Sequence, residues 1–162
     1  MSRRIEVTLN GRPESFDVED YETLLHVLRD RARFFGAREG CGQGVCGACT
    51  VLLDGQPVSS CLFLAPLAEG RAITTIEGLA AGDALHPIQE AFVQHGALQC
   101  AYCTPGFVLS LKGLLDENPE ATAEEIREYL SGNLCRCTGY VNILEAAAAV
   151  IERLRASSKG ST

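Results

Sequence analysis

Positive charge is scarce in this 162-residue chain: Lys and Arg number 14 against 21 Asp and Glu, for a net charge of −7. Phosphate backbones are held by clustered Lys and Arg, so nucleic acid is excluded as a partner. No apolar run approaches the length needed to cross a bilayer, and no transmembrane segment is expected. The opening stretch Met-Ser-Arg-Arg-Ile-Glu-Val-Thr alternates instead of forming the apolar segment of a secretion signal, which leads us to expect a cytoplasmic protein. There is no base–nucleophile constellation and no glycine-rich phosphate loop, so the chain is not expected to make or break bonds alone. Apolar residues still make up 46%, enough for one packed domain or two small ones.

What the chain has is cysteine, eight in all. Without a secretion signal, they favour a reducing compartment and metal ligation over disulfides. The first set reads Cys41-Gly-Gln-Gly-Val-Cys46-Gly-Ala-Cys49, then eleven residues, then Cys61. Its C-x4-C-x2-C start is the spacing of a plant-type 2Fe-2S loop, which curls over two bridged irons and aims its thiolates inward. Gly40, Gly42, Gly44 and Gly47 supply the backbone freedom this curl demands. The second set is Cys100-Ala-Tyr-Cys103 and Cys135-Arg-Cys137. The eight divide four and four, with none left over. By spacing alone the second set stays open: four thiolates equally suit tetrahedral zinc, and Cys100 with Cys103 could form a redox-active pair that leaves Cys135 and Cys137 unexplained.

Taken in order, Ile5, Val7 and Leu9 alternate up to Asn10-Gly11, and Phe16 and Val18 follow, which is a β-hairpin signature. Thr23 reads as the N-cap of a helix ending near Arg31. Thr50–Leu53, Asp54-Gly55 and Gln56–Val58 spell a second hairpin, and residues 72–76 a further strand. This order suggests a β-grasp arrangement. Small, flexible residues between Glu77 and Leu85 mark a boundary, giving domains over 1–78 and 84–162. Beyond it, Pro87 opens a helix through about His95, Pro105 a longer one, and Thr122 with Glu125 forms a capping box. Gly132 and Asn133 end that helix. Asn142 with Glu145 repeats the start signal, and residues 157–162 are expected to fray. The fold class is therefore α+β, a β-grasp domain followed by a bundle of about four helices. If the helices after Cys103 and after Cys137 start side by side, the second four thiols meet at helix N-termini, where partial positive charge favours an anionic centre.

Other residues carry weaker signals. His95 could be a Rieske-type ligand, but four cysteines complete the set, and a surface or partner-facing role fits better. His26 and His86 read as structural. Arg38 and Arg136 border cysteines and either offset cluster charge or face solvent or a partner. The acidic run from Glu124 to Glu128 reads as a solvated helix face.

Three motifs carry a resemblance: Gly40-Cys-Gly-Gln-Gly-Val-Cys-Gly-Ala-Cys-Thr-Val51, Gln99-Cys-Ala-Tyr-Cys-Thr-Pro-Gly106 and Gly132-Asn-Leu-Cys-Arg-Cys-Thr-Gly-Tyr140. In this order they resemble the iron–sulfur subunit of the molybdenum hydroxylases, the xanthine oxidase family, over about residues 3–155. The resemblance implies a plant-type β-grasp domain with one 2Fe-2S cluster on Cys41, Cys46, Cys49 and Cys61. It implies a helical domain with a second on Cys100, Cys103, Cys135 and Cys137, with Gln99 and Cys137 touching a pterin. Ala101 departs from the family's commoner glycine, and Val141-Asn142 from its Gln-Pro.

The implied function is an electron relay from a molybdopterin centre on a large subunit, through both clusters, to FAD on a medium subunit, in a dimer of heterotrimers. Val45 and Phe63 are expected to keep water from the clusters. The alternatives are a free-standing two-cluster carrier and a zinc-stabilised interaction module.

Overall fold

The computed structural model describes residues 1–159, with side chains to residue 156. Strands β1 (Ser2–Leu9) and β2 (Arg12–Glu19) form the first hairpin, and β3 (Thr50–Leu53) and β4 (Gln56–Ser59) the second. Both turns rest on a left-handed residue followed by glycine, Asn10 (φ 51°) with Gly11 and Asp54 (φ 50°) with Gly55. Strand β5 (Ala72–Thr74) lies between the hairpins, parallel to β1 and antiparallel to β3, so the sheet order is β2-β1-β5-β3-β4. A central parallel pair flanked by two hairpins is the β-grasp topology.

The helix expected over 24–31 is two kinds of helix. Three α-helical residues, α1 (Leu24–His26), start at Thr23, whose hydroxyl accepts from the His26 N–H at 3.3 Å. From Val27 to Arg31 the coil widens to a π-helix, closed by the Ala32 N–H on the Val27 carbonyl at 3.0 Å. The wider turn lets Val27 and Leu28 bury together while Arg31 reaches the buried Glu22 carboxylate at 2.9 Å. Periodicity at 3.6 residues does not distinguish this from a regular helix.

The second half holds α2 (Pro87–Gln94), α3 (Thr104–Glu117), α4 (Ala123–Leu130) and α5 (Val141–Lys159). His86 caps α2, its Nδ1 accepting from the Ile88 N–H at 3.2 Å, so its role is structural. Asn142 does not cap α5, because that helix already begins at Val141. Its amide instead donates to the His95 and Gly96 carbonyls at 3.0 and 3.4 Å and staples α5 to the end of α2. Residues 157–159, expected to fray, carry helical backbone within α5, and residues 160–162 lie outside the described residues.

The capping box at α4 is formed as expected. Thr122 Oγ1 accepts from the Glu125 N–H at 3.3 Å, and Glu125 Oε2 accepts from the Thr122 N–H at 2.7 Å. Thr122→Ala should cost about 1 kcal/mol and lower Tm by roughly 2–4 °C, read by thermal denaturation. The Thr122 N–H, then its hydroxyl, holds the Glu125 carboxyl below its ordinary range. A depressed folded-state pKa gives stability that is present above the ordinary Glu pKa and is lost as pH falls through the folded value. The Thr122→Ala deficit should therefore shrink below about pH 4.

Two buried clusters result, one under the sheet around Ile5, Val18, Leu24, Leu28 and Ile73, and one in the bundle around Phe92, Phe107, Leu111 and Ile143. They are joined by α3, which packs across β3 and β4. A Cβ on Gly113 would lie 2.8 Å from Pro57 Cδ and 3.4 Å from Leu52 Cδ2. Among the described residues no helix is long and apolar enough to cross a membrane.

Candidate iron–sulfur centres

The loop from Gly40 to Cys49 follows the π-helix and returns into β3. Gly42, Gly44 and Gly47 have φ of 64°, 70° and 69°, which side chains adopt at a cost. Gly40 is needed for space instead, because a Cβ there would lie 2.8 Å from Cys46 Sγ. The curl turns backbone N–H groups onto sulfur: Gln43 and Val45 each donate to Cys41 Sγ at 3.4 Å. Those donors, with that of Cys46, bring the Cys41 thiol down to about 6. Cys49 and Cys61 are buried, and burial, reinforced by Cys49, pushes the Cys61 thiol up to about 11. Cys46 sits beside Cys41, and Cys61 beside Cys49.

The second four thiols also meet. Cys100 Sγ lies 3.6 Å from Cys137 Sγ, and Cys103 hydrogen-bonds Cys135. Cys103 is the residue before α3, yet burial and then Cys135 push its thiol up to about 12, outweighing the helix N-terminus. Burial also opposes ionisation of Cys135, but the Thr138 hydroxyl and N–H, at 3.1 and 3.4 Å from its sulfur, bring it below the ordinary thiol value. The N–H donor to Cys135 thus comes from the turn before α5 and not, as expected, from that helix's first turn. Cys100 and Cys137 are exposed, and Gln99 beside them donates to the Cys137 carbonyl at 3.2 Å.

Each four thiols thus divide into two close pairs. Two thiolates for each of two bridged irons fit this arrangement.

Several single-residue expectations change. Val45 is 59% exposed and cannot exclude water within this chain, whereas Phe63 is half-buried against the sheet core. His95 is exposed, and its carbonyl, not its ring, is engaged by Asn142. Arg136 is exposed, but Arg38 is half-buried and donates to the Ala101 carbonyl. Asn133, read from sequence as a helix terminator, is a buried bridge between the halves: its amide donates to the Gly47 carbonyl at 3.1 Å. A polar residue at a helix end has no local mark separating these roles.

A β-grasp domain and a helical domain, each presenting paired thiols on glycine-rich or left-handed backbone, define a two-centre iron–sulfur protein. The "2Fe-2S iron-sulfur cluster binding domain" family matches residues 7–76 and the "2Fe-2S binding domain" family residues 75–148. The chain is 54% identical over 142 residues, 88% of its length and 86% of the relative's, to the nicotine 6-hydroxylase small subunit of Paenarthrobacter nicotinovorans. It is 46% identical to the nicotinate dehydrogenase small FeS subunit of Eubacterium barkeri, covering 92% of this chain and 95% of that one. Among solved structures it matches quinoline 2-oxidoreductase from Pseudomonas putida 86, with a TM-score of 0.90, 47% identity, and coverage of 96% of this chain and 97% of that one. The chain belongs to the iron–sulfur subunit family of the molybdenum hydroxylases, electron-transfer components of multi-subunit oxidoreductases.

Proposed function

We propose that this chain relays electrons one at a time from a molybdopterin centre on a large subunit to FAD on a medium subunit, in a cytoplasmic complex built as a dimer of heterotrimers. Cys100, Cys103, Cys135 and Cys137 would hold the 2Fe-2S cluster on the molybdenum side, within the helical domain that we place at 84–162. Cys41, Cys46, Cys49 and Cys61 would hold the second, on the flavin side, within 1–78. When bound, each cluster accepts and returns a single electron. Gln99 and Cys137, exposed and hydrogen-bonded to each other, would face the pterin.

The observation that most supports this reading is a contact between the two thiol sets. The Cys46 carbonyl accepts from the Leu134 N–H at 2.9 Å, and Leu134 adjoins Cys135. A short covalent path with one hydrogen bond therefore runs from one set to the other. The buried Asn133 beside it, bonded to the Gly47 carbonyl, helps hold that path in place.

A free-standing carrier needs a small polar docking face. This chain instead leaves Val45 and Leu62 exposed near the first set, and Leu134 and Val141 near the second. A cleft of about 480 Å³ lined by Phe107, Leu130, Leu134 and Tyr140 opens beside Cys135. Apolar ground at both ends suits two fixed partners.

Purification of the native complex tests the proposal. Stoichiometric flavin- and molybdopterin-bearing chains, about four irons per copy of this chain and two 2Fe-2S EPR signals on reduction are expected. A chain that purifies alone with both signals is a carrier, and one with zinc in place of iron is neither.

A further inference from the structure

Residues 38–39, just ahead of Cys41, are tied to residues 101–102, which lie between Cys100 and Cys103. Arg38 Nη1 donates to the Ala101 carbonyl. The same guanidinium lies over the Tyr102 ring, 5.3 Å from its centroid. The Tyr102 hydroxyl donates back to the Glu39 carbonyl at 2.7 Å. The Arg38 backbone is anchored in turn, its N–H donating to the Ala48 carbonyl at 3.1 Å next to Cys49. Ala101 has φ 58°, a left-handed conformation that an alanine holds only when its surroundings impose it. Arg38 bonds the carbonyl of that strained residue. These contacts span 63 residues and involve both cysteine-bearing loops.

We propose that Arg38 is a positioning residue shared by both iron–sulfur centres. Its guanidinium latches the Cys41 loop to the Cys100–Cys103 turn and sets one fixed positive charge against both. The proposal rests on the two-cluster reading above. Tetrathiolate 2Fe-2S clusters gain a negative charge on reduction, so a cation in a half-buried seam favours the reduced form of each. A planar guanidinium makes both contacts at once. One edge donates to the carbonyl while its face stacks on Tyr102, a combination that lysine cannot reproduce.

The test is EPR-monitored redox titration of the intact complex carrying Arg38→Gln, Arg38→Lys or Tyr102→Phe, with iron content and Tm measured alongside. Arg38→Gln is expected to keep its iron and to lower the reduction equilibrium of both clusters roughly tenfold, about 59 mV for a one-electron couple. Arg38→Lys should recover the potentials. Tyr102→Phe, which loses only the hydroxyl bond, should leave the potentials in place and change the spin–spin splitting between the two reduced clusters. If Arg38→Gln shifts one cluster alone, the charge is not shared; if it lowers Tm with both potentials unmoved, the arginine is merely structural. Either result overturns the proposal. Should Arg38→Gln fail to fold, unchanged splitting in Tyr102→Phe overturns the latch. A single 2Fe-2S signal in the fully loaded wild type removes the two-cluster reading itself, an outcome distinct from neutral variants in a two-signal protein.

Discussion

Cys135→Ser should leave the protein folded with one of its two 2Fe-2S signals gone and its iron reduced from about four to about two per chain. Cys135 is paired with Cys103 and is the sulfur on which the Thr138 hydroxyl and N–H converge. A serine hydroxyl at that point is a poor anion at neutral pH and a hard donor to iron. The Cys41–Cys61 set lies in the other domain, on its own loop, and should keep its cluster and spectrum. On the proposed relay, electron transfer out of a molybdopterin centre should fall by more than the roughly 10–100-fold that losing even a supporting hydrogen bond costs at a metal site. Iron analysis and EPR of the reduced complex give the readout. Survival of both signals would remove Cys135 from the ligand set, and loss of both would mean that the two centres are not built independently.

Gly106→Ala should be strongly destabilising. Gly106 lies in the first turn of α3 with the Gly47 backbone against it: a Cβ would stand 2.1 Å from the Gly47 oxygen and 3.0 Å from its carbon. That carbonyl cannot easily retreat, because Thr50 Oγ1 holds it at 2.8 Å and Asn133 Nδ2 at 3.1 Å. Two backbones must separate, and Gly47 adjoins Cys46. The expected cost is about 3 kcal/mol, the upper end of ordinary overpacking, and a fall in Tm of about 6–12 °C. Gly132→Ala is the control, since a Cβ there meets nothing within 4 Å; it should move stability by less than about 0.5 kcal/mol. Equal melting curves for the two variants would refute the close approach.

Much of the fold was legible because its signals are local. The Asn10-Gly11 and Asp54-Gly55 turns, the prolines opening α2 and α3, and the Thr122–Glu125 box each operate within a few residues. The thiols expected to lie together in each set do make contacts, Cys41 with Cys46 and Cys100 with Cys137 among them. What the pattern could not carry was the seam. Asn133, Gly106 and Gly113 are small or polar residues whose meaning lies in a partner far along the chain. One clue was available: Thr50–Leu53 is buried at all four positions, and its unbroken Val51-Leu52-Leu53 run means a strand covered on both faces. Leu52 is the residue turned toward α3. The π-helix was invisible for a different reason, since it changes hydrogen-bond register without changing which side chains are apolar.

The tilt of Cys100 and Cys137 toward solvent bears on how such a protein matures. A sulfur rim open to water is equally open to the machinery that delivers iron and to the dioxygen that strips it away. On the proposed relay, loading would have to come while the rim is bare, before a large subunit covers it.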